Sequence, residues 1–115
     1  MRAISGSEEL ISELCGLLGV NACGADGVYL SLGDESSYDL LDGYSLKKAA
    51  AHISVSGSSR VGIIRRFDMI SGLAAKIYGY EGIISVKRIS PGEIIKAEDG
   101  LYQGGCDFEV VYIGG

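Results

Sequence analysis

Apolar residues recur at helical spacing in two segments of the chain. The first segment contains leucines spaced three and four residues apart: Leu10, Leu14 and Leu17. The second carries apolar residues along one side: Ile63, Phe67, Ile70, Ala74 and Ile77. Its other side carries Arg65, Asp68, Met69, Gly72 and Lys76. This pattern is typical of helices that bury one face, and it predicts one helix before Gly19 and another from Arg60 to about Gly79.

Residues that suit helix caps flank the first segment. Ser5 precedes Glu8 by three residues, which is the spacing of a capping box, and Ser7 is an alternative N-cap. Gly19 follows the periodic leucines, and glycine suits a C-cap because it adopts positive φ readily. The first helix is therefore predicted to begin at one of the two serines and to end near Gly19.

Five segments have the composition of β-strands. They are residues 28–32, 51–56, 83–89, 93–97 and 106–112. The last shows the clearest alternation, in Cys106, Phe108, Val110 and Tyr112. Ile84 and Val86 are predicted to share one face of their strand. Residues 98–100, Glu-Asp-Gly, form a good turn sequence, so the last two strands are predicted to form a hairpin.

Residues 34–48 show no clean period, and we predict a loop there. The segment is acidic, with Asp34, Glu35, Asp39 and Asp42. These carboxylates lack the order of an EF-hand calcium loop, so we expect them to be solvated and not to hold a cation.

The order of the elements predicts the fold class. A helix between two strands can cross over between parallel neighbours, whereas a terminal hairpin is antiparallel. We therefore predict an α+β fold, with a mixed, mainly antiparallel sheet of four to five strands and two helices packed on one face. A length of 115 residues is close to the commonest domain size, so residues 1–115 are expected to form a single domain.

Composition and charge exclude several kinds of partner. With 47 % apolar and 22 % charged residues and a net charge of −5, the chain should fold around a packed core. Its ten basic residues form no continuous stripe, so sequence-specific nucleic-acid binding is not expected. The N-terminus is acidic and no apolar run reaches about 18 residues, so we expect no signal peptide, no membrane partner and a cytoplasmic location.

Residue types needed for catalysis or metal binding are sparse. His52 is the only histidine, and Cys15, Cys23 and Cys106 have no CxxC spacing. Neither a histidine-activated nucleophile nor a metal centre is recognisable from this set. His52 is interpreted as a sheet-surface residue and the cysteines as reduced thiols. We expect no catalytic residues, no metal and no cofactor, and hence no enzyme.

Residues 52–113 contain a characteristic succession of elements. A strand ending Ile53-Ser54-Val55-Ser56-Gly57 precedes the second helix, and residues 83–92 and the acidic turn follow it. The segment closes on Asp107-Phe108-Glu109-Val110-Val111-Tyr112. In this order, and in its aromatic-acidic-apolar closing strand, about half of the chain resembles the tail-terminator and minor capsid (minor tail) proteins of long-tailed bacteriophages and prophages.

This resemblance implies a non-enzymatic virion structural protein, a tail terminator or another tail-completion or neck protein. Such proteins form a ring, commonly a hexamer, at the head-proximal end of the tail tube. The ring stops tube polymerisation and joins the tube to the head connector. The implied partners are further copies of the chain, the tail tube protein and head–tail connector proteins, first in the cytoplasm of the bacterial host and then in the virion.

Tyrosines motivate a second hypothesis, that of a small bacterial α+β module that binds a ligand or peptide at its sheet. They are Tyr29, Tyr38, Tyr44, Tyr78, Tyr80, Tyr102 and Tyr112. The same residues can equally form an ordinary sheet surface. A monomer that co-purifies with a ligand would favour the module over the ring.

Apolar and aromatic side chains in segments expected at the surface predict the contacts of a ring. These segments are the loop 34–48, the outward face of the second helix and the hairpin 91–104. Their candidate interface residues are Tyr38, Tyr44, Arg65, Met69, Gly72, Ile94, Leu101 and Tyr102. For Ile94 and Leu101, packing against the chain's own core is an equal alternative.

Overall fold

Two helices and six strands make up the part of the chain that the computed structural model describes, residues 3–20, 27–40, 43–80 and 82–115. The helices are α1 (Ser7–Leu18) and α2 (Arg60–Ala75). The strands are β1 (Val28–Asp39), β2 (Ser45–Gly57), β3 (Tyr78–Tyr80), β4 (Ile83–Arg88), β5 (Glu93–Lys96) and β6 (Tyr102–Gly114). The α+β class predicted from the sequence is confirmed.

β6 is the central strand of an antiparallel sheet. The strands lie in the order β1-β2-β6-β4-β3, and β5 pairs with β6 beyond the end of β4. α2 does connect two strands of like direction, β2 and β4, but β6 lies between them and pairs antiparallel with both. The parallel component among the described residues is a bridge between Ile4 and Gly114.

Both helices pack on one face of this sheet. α1 contributes three leucines, Leu10, Leu14 and Leu18, and α2 contributes Ile63, Phe67, Ile70 and Ala74, as its spacing predicted. The sheet contributes alternate residues, among them Ala51, Ile53, Phe108 and Val110. Because side chains alternate across a strand, the residues between these point to the opposite face. No helix of the described chain covers that opposite face, which is called the open face below.

The ends of the helices differ in part from the predictions. Gly19 is a left-handed C-cap with φ 67°, as expected. The predicted capping box with Glu8 is wrong: the N-cap is Gly6, and the amide and hydroxyl of Ser5 both donate to Oε2 of Glu9, at 2.8 and 2.6 Å. The N-cap lies one residue later than the capping box requires. Glu9, and not Glu8, therefore accepts the hydrogen bonds from Ser5.

The second helix ends at Ala75, before the predicted boundary at Gly79. Its start is fixed by Ser59, whose Oγ accepts a hydrogen bond from the amide of Gly62 at 3.0 Å. Tyr78–Tyr80 then forms a short strand, β3, that was not predicted and that pairs with β4. Ile77 is buried as expected, although it lies beyond the helix.

An irregularity in the pairing of β4 changes which of its residues are buried. The register against β6 shifts between Ile83 and Ser85. Ile83 and Val86 are therefore buried, whereas Ile84 is 39 % exposed. The prediction that Ile84 and Val86 share a face is wrong because the shift breaks the simple alternation on which it depended.

Candidate assembly surfaces

The largest difference from the sequence prediction is at residues 34–48, which form a hairpin arm and not a loop. β1 continues to Asp39 and β2 begins at Ser45, with the two strands paired from Glu35↔Ala49 to Asp39↔Ser45. The amide of Leu40 donates to the carbonyl of Tyr44 at 2.8 Å across the end of the arm. Asp42 and the neighbouring Leu41 lie outside the described residues.

The arm is exposed from Gly33 to Leu40. Tyr38 is 65 % and Leu40 41 % exposed, whereas Tyr44 is half-buried. A strand with solvent on both faces has no apolar alternation, which is why the sequence pattern predicted a loop. The molecule is accordingly elongated, measuring 52 × 23 × 22 Å.

A polar cluster anchors the base of the arm on the helix-bearing face. Nζ of Lys47 lies 3.2 Å from Oε1 of Glu35 on the opposite strand. The hydroxyl of Tyr112 on β6 also bonds to Glu35. Burial, together with this bond and the negative charge of Glu35, raises the pKa of Tyr112 to about 12. The cluster thus joins three adjacent strands along the arm, whose β2 strand stays paired with β6 as far as Ser45↔Gly114.

α2 carries exposed apolar residues in addition to its buried apolar side. Val61 is 58 %, Ile64 45 % and Met69 60 % exposed. Arg65 is exposed between the first and last of these, at intervals of four residues, and Gly72 follows on the outward side. A side chain placed on Gly72 would meet nothing within 4 Å. These apolar side chains lie among the exposed charges of Arg65 and Asp68, a mixture that is common at protein interfaces.

The terminal hairpin divides between core and surface. Ile94 and Tyr102 are half-buried and pack against the core, and the cations of Arg60 and Lys96 lie 5.7 and 5.8 Å from the centre of the Tyr102 ring. Leu101 is 43 % exposed and Ile95 61 %. Of the two alternatives predicted for these residues, Ile94 therefore packs against the chain's own core, whereas Leu101 is exposed at the surface.

The candidate residues do not form a single patch. The arm lies at one end of β2, while α2 and the terminal hairpin begin at the other end, where Gly57 pairs with Tyr102. The structure thus separates the predicted contacts into two regions, one at each end of the molecule.

A hydrogen-bonded pair on the open face escaped the sequence analysis. Nδ1 of His52 lies 2.7 Å from Oδ1 of Asp107, and the two side chains are 48 % and 47 % exposed. Since a carboxylate accepts, Nδ1 carries the donated proton. No nucleophilic side chain of the described residues is hydrogen-bonded to His52. The direct cross-strand pairing of these two residues depends on the register of β2 and β6, which the sequence pattern did not supply.

The His52–Asp107 pair lines an open groove of about 670 Å³. The groove runs over β2, β5 and β6 and the turn at residues 90–92, with serines and Glu93 in its wall. None of the described tyrosine side chains lines it, and those of Tyr78 and Tyr80 lie outside the described residues. Gly105 forms part of the floor, where an added Cβ would meet the His52 ring at 2.8 Å.

The described residues contain no group of three histidine, cysteine, aspartate or glutamate side chains that could hold a metal ion. Cys106 is buried, and Cys23 lies outside the described residues. No helix in the described part of the chain is both long and apolar enough to span a membrane.

No protein-family model and no curated protein matches the sequence. Among solved structures, a chain from the virion of a native gene transfer agent particle is similar at 15 % sequence identity and a TM-score of 0.49. The match covers 88 % of this chain and 84 % of that chain.

Proposed function

We propose that the chain is a non-enzymatic structural protein of a phage-like virion. In the specific form of the proposal, it is a tail terminator that assembles into a ring at the head-proximal end of the tail tube. The ring stops tube polymerisation and contacts the tail tube protein on one side and a head–tail connector protein on the other. No residue has a catalytic role in this proposal.

The hairpin arm is the observation that carries the proposal. Its exposed residues include Tyr38 and Leu40, which lie at the end of the edge strand β1 and just after it. Such a ribbon contributes nothing to the chain's own core, whereas contact with a neighbouring subunit would bury its apolar residues. The order of elements in residues 52–113, which resembles the terminator family, supports the same function.

A ring also requires two different surfaces on each subunit, because its contact is repeated head to tail around an axis. The arm tip and the exposed side of α2 meet this requirement, since they differ in composition and α2 starts at the end of β2 opposite to the tip. The open face and the terminal hairpin, with exposed Ile95 and Leu101, remain available for the tube and connector proteins.

Sedimentation velocity of the purified protein at several concentrations tests the proposal. We expect the monomer to convert with rising concentration to one closed species, whose subunit number native mass spectrometry then gives. Added to polymerising tail tube protein, the ring should shorten the tubes. A monomer at every concentration, with no effect on tube length, would contradict the proposed function.

The groove on the open face favours a second candidate, a binding module for a small ligand or peptide. Its volume of about 670 Å³ falls within the usual range for ligand sites. Native mass spectrometry distinguishes the two candidates, because a monomer carrying a co-purified ligand, and losing it in Gly105→Leu, would favour the module. The Gly105→Leu side chain would occupy the groove floor beside His52.

A further inference from the structure

The exposed side of α2 presents a row of apolar and basic side chains. Val61, Arg65 and Met69 follow one another at intervals of four residues, so they lie on one line along the helix. All three are exposed, and Val61 and Met69 are 58 % and 60 % exposed. This row is called the α2 ridge below. It has the composition of interface centres, in which methionine and arginine are enriched.

The charge of the α2 ridge is not neutralised within the described chain. Arg65 makes no ion pair there, and the acidic residue of the same helix, Asp68, already lies 3.5 Å from Nη1 of Arg88. A guanidinium with apolar neighbours on either side is well suited to a carboxylate on a partner, which it can bind through two parallel hydrogen bonds.

The end of the arm has the complementary composition. Tyr38 and Leu40 are exposed apolar groups, and Asp39 stands between them. Among the described residues Asp39 and Asp34 have no ion-pair partner, whereas Glu35 is held by Lys47. An acidic, aromatic tip therefore faces outward on the same chain that carries a basic, apolar ridge.

Topology prevents the two surfaces of one chain from meeting. β2 has 13 residues, and at about 3.3 Å per residue its ends are roughly 40 Å apart. The tip of the arm lies at the Ser45 end, while α2 starts just after the other end and places Val61 in its first turn. The 52 Å length of the molecule agrees with this separation. Contact between tip and ridge therefore requires two copies.

We infer that the outer edge of the arm tip of one copy docks on the α2 ridge of the next, so that side chains from both faces of the edge strand β1 reach the ridge, with Tyr38 and Leu40 against Val61 and Met69 and Asp39 against Arg65. This inference rests on the proposed function and specifies its subunit contact. Each copy gives one arm and receives another, so the contact is heterologous and can close a ring. Gly72, which has open space above it, lets the incoming chain approach the end of the ridge closely.

Two single variants test the contact. Tyr38→Asp in the arm and Met69→Asp in the ridge should each weaken self-association by at least about tenfold, as expected for central interface residues. Tyr38→Phe keeps the apolar ring, and Lys87→Asp changes the charge of an exposed β4 residue that neighbours buried Val86 and therefore points to the open face, away from α2. Both controls should associate like the wild type. Circular dichroism and thermal unfolding of every variant confirm that the monomer remains folded.

Mixing the two defective variants gives a sharper result. The Tyr38→Asp copy keeps an intact ridge and the Met69→Asp copy keeps an intact arm. An equal mixture should therefore form a heterodimer and stop there, because neither remaining surface is competent.

A charge exchange tests the contact of Asp39 with Arg65. Asp39→Arg and Arg65→Asp should each weaken self-association, and the double variant should recover most of the loss.

The outcomes separate this inference from the proposed function. A wild-type protein that stays monomeric would contradict the proposed function itself. A wild-type protein that associates while the Tyr38→Asp and Met69→Asp variants associate equally well would overturn only the docking of arm on ridge. Variants that fail singly and also fail to form a heterodimer when mixed would overturn it too, since that result indicates a contact of another symmetry.

Discussion

Arg88 donates a hydrogen bond from Nη2 to the carbonyl of Pro91 at 2.6 Å. The same guanidinium donates from Nε to the carbonyl of Ser90 at 2.9 Å and from Nη1 to Oγ of Ser71 at 3.2 Å. It also lies 5.7 Å from the centre of the Phe67 ring. One side chain thus ties α2 to the turn between β4 and β5, and it supports the inner wall of the groove.

Replacing Arg88 should destabilise the fold more than replacing other arginines. Arg88→Ala removes several charge-assisted hydrogen bonds and should lower the free energy of unfolding by about 1.5–3 kcal/mol. Arg88→Lys should recover little of the loss, because an ammonium cannot reproduce the planar fork. Arg65→Ala, at an exposed position, should stay within about 0.5 kcal/mol. Urea unfolding measures all three, and equal values for Arg88→Ala and Arg65→Ala would contradict this role.

Two glycines should respond to alanine in opposite directions. A Cβ on Gly104 would lie 2.7 Å from Cγ2 of Ile63 and 2.9 Å from Cζ of Phe67, so Gly104→Ala should cost about 1–3 kcal/mol by overpacking. Gly72→Ala, on an exposed helix position with open space, should stabilise the monomer by about 0.5–1 kcal/mol. Chemical denaturation of both variants tests this. A neutral Gly104→Ala would show that α2 moves away from β6 without loss of packing.

Sequence periodicity predicted the parts of the fold in which one face is buried. The α2 residues Ile63 and Phe67 and the β6 residues Phe108 and Val110 are buried as their spacing indicated. Periodicity failed where burial does not alternate, in the exposed arm and at the shift beside Ile84. It also could not place β6 between β2 and β4, because strand order depends on long-range packing that local patterns do not encode.

Composition identified candidate surface residues but not their separation. Tyr38, Met69 and Leu101 are exposed, whereas Ile94 and Tyr102 pack partly on the core. The sequence does not reveal that the arm tip and the start of α2 lie at opposite ends of β2. That separation depends on β2 extending back to Ser45, and the first half of this strand has no apolar alternation by which it could be recognised. The hydrogen bonds of Arg88 were also missed. Their acceptors are mainly backbone carbonyls, which every residue type possesses, so no residue pattern indicates them.

Tyr44 provides a test of the arm that is independent of Tyr38. It is half-buried near the arm tip, where its carbonyl accepts from the amide of Leu40. Tyr44→Glu should weaken self-association while the monomer remains folded, since the backbone bond that closes the tip does not use the side chain. Tyr44→Phe is the matched control. Sedimentation at several concentrations measures both, and unchanged association in Tyr44→Glu would restrict the contact to the outer residues of the tip.

The hydroxyl of Tyr112 should make the fold sensitive to alkali. Burial, with Glu35 beside it, raises its pKa to about 12 from an ordinary 10.0. Between these values the unfolded chain loses the proton while the folded chain keeps it, so the free energy of unfolding falls as the pH rises from about 10 to about 12. One such proton gives a slope of at most about 1.4 kcal/mol per pH unit. Below about pH 10 the contribution is fully present.

Tyr112→Phe isolates this effect from that of the other tyrosines. We expect the variant to lose one tyrosinate absorbance step near pH 12, the raised pKa of Tyr112, and its urea-unfolding free energy to fall less steeply than that of the wild type over the same window. Glu35→Gln should move the step only part of the way toward 10, because burial is the larger cause of the shift and the glutamine removes the negative charge while its amide oxygen still accepts a hydrogen bond. Identical pH slopes for wild type and Tyr112→Phe would contradict the coupling of this residue to the base of the arm.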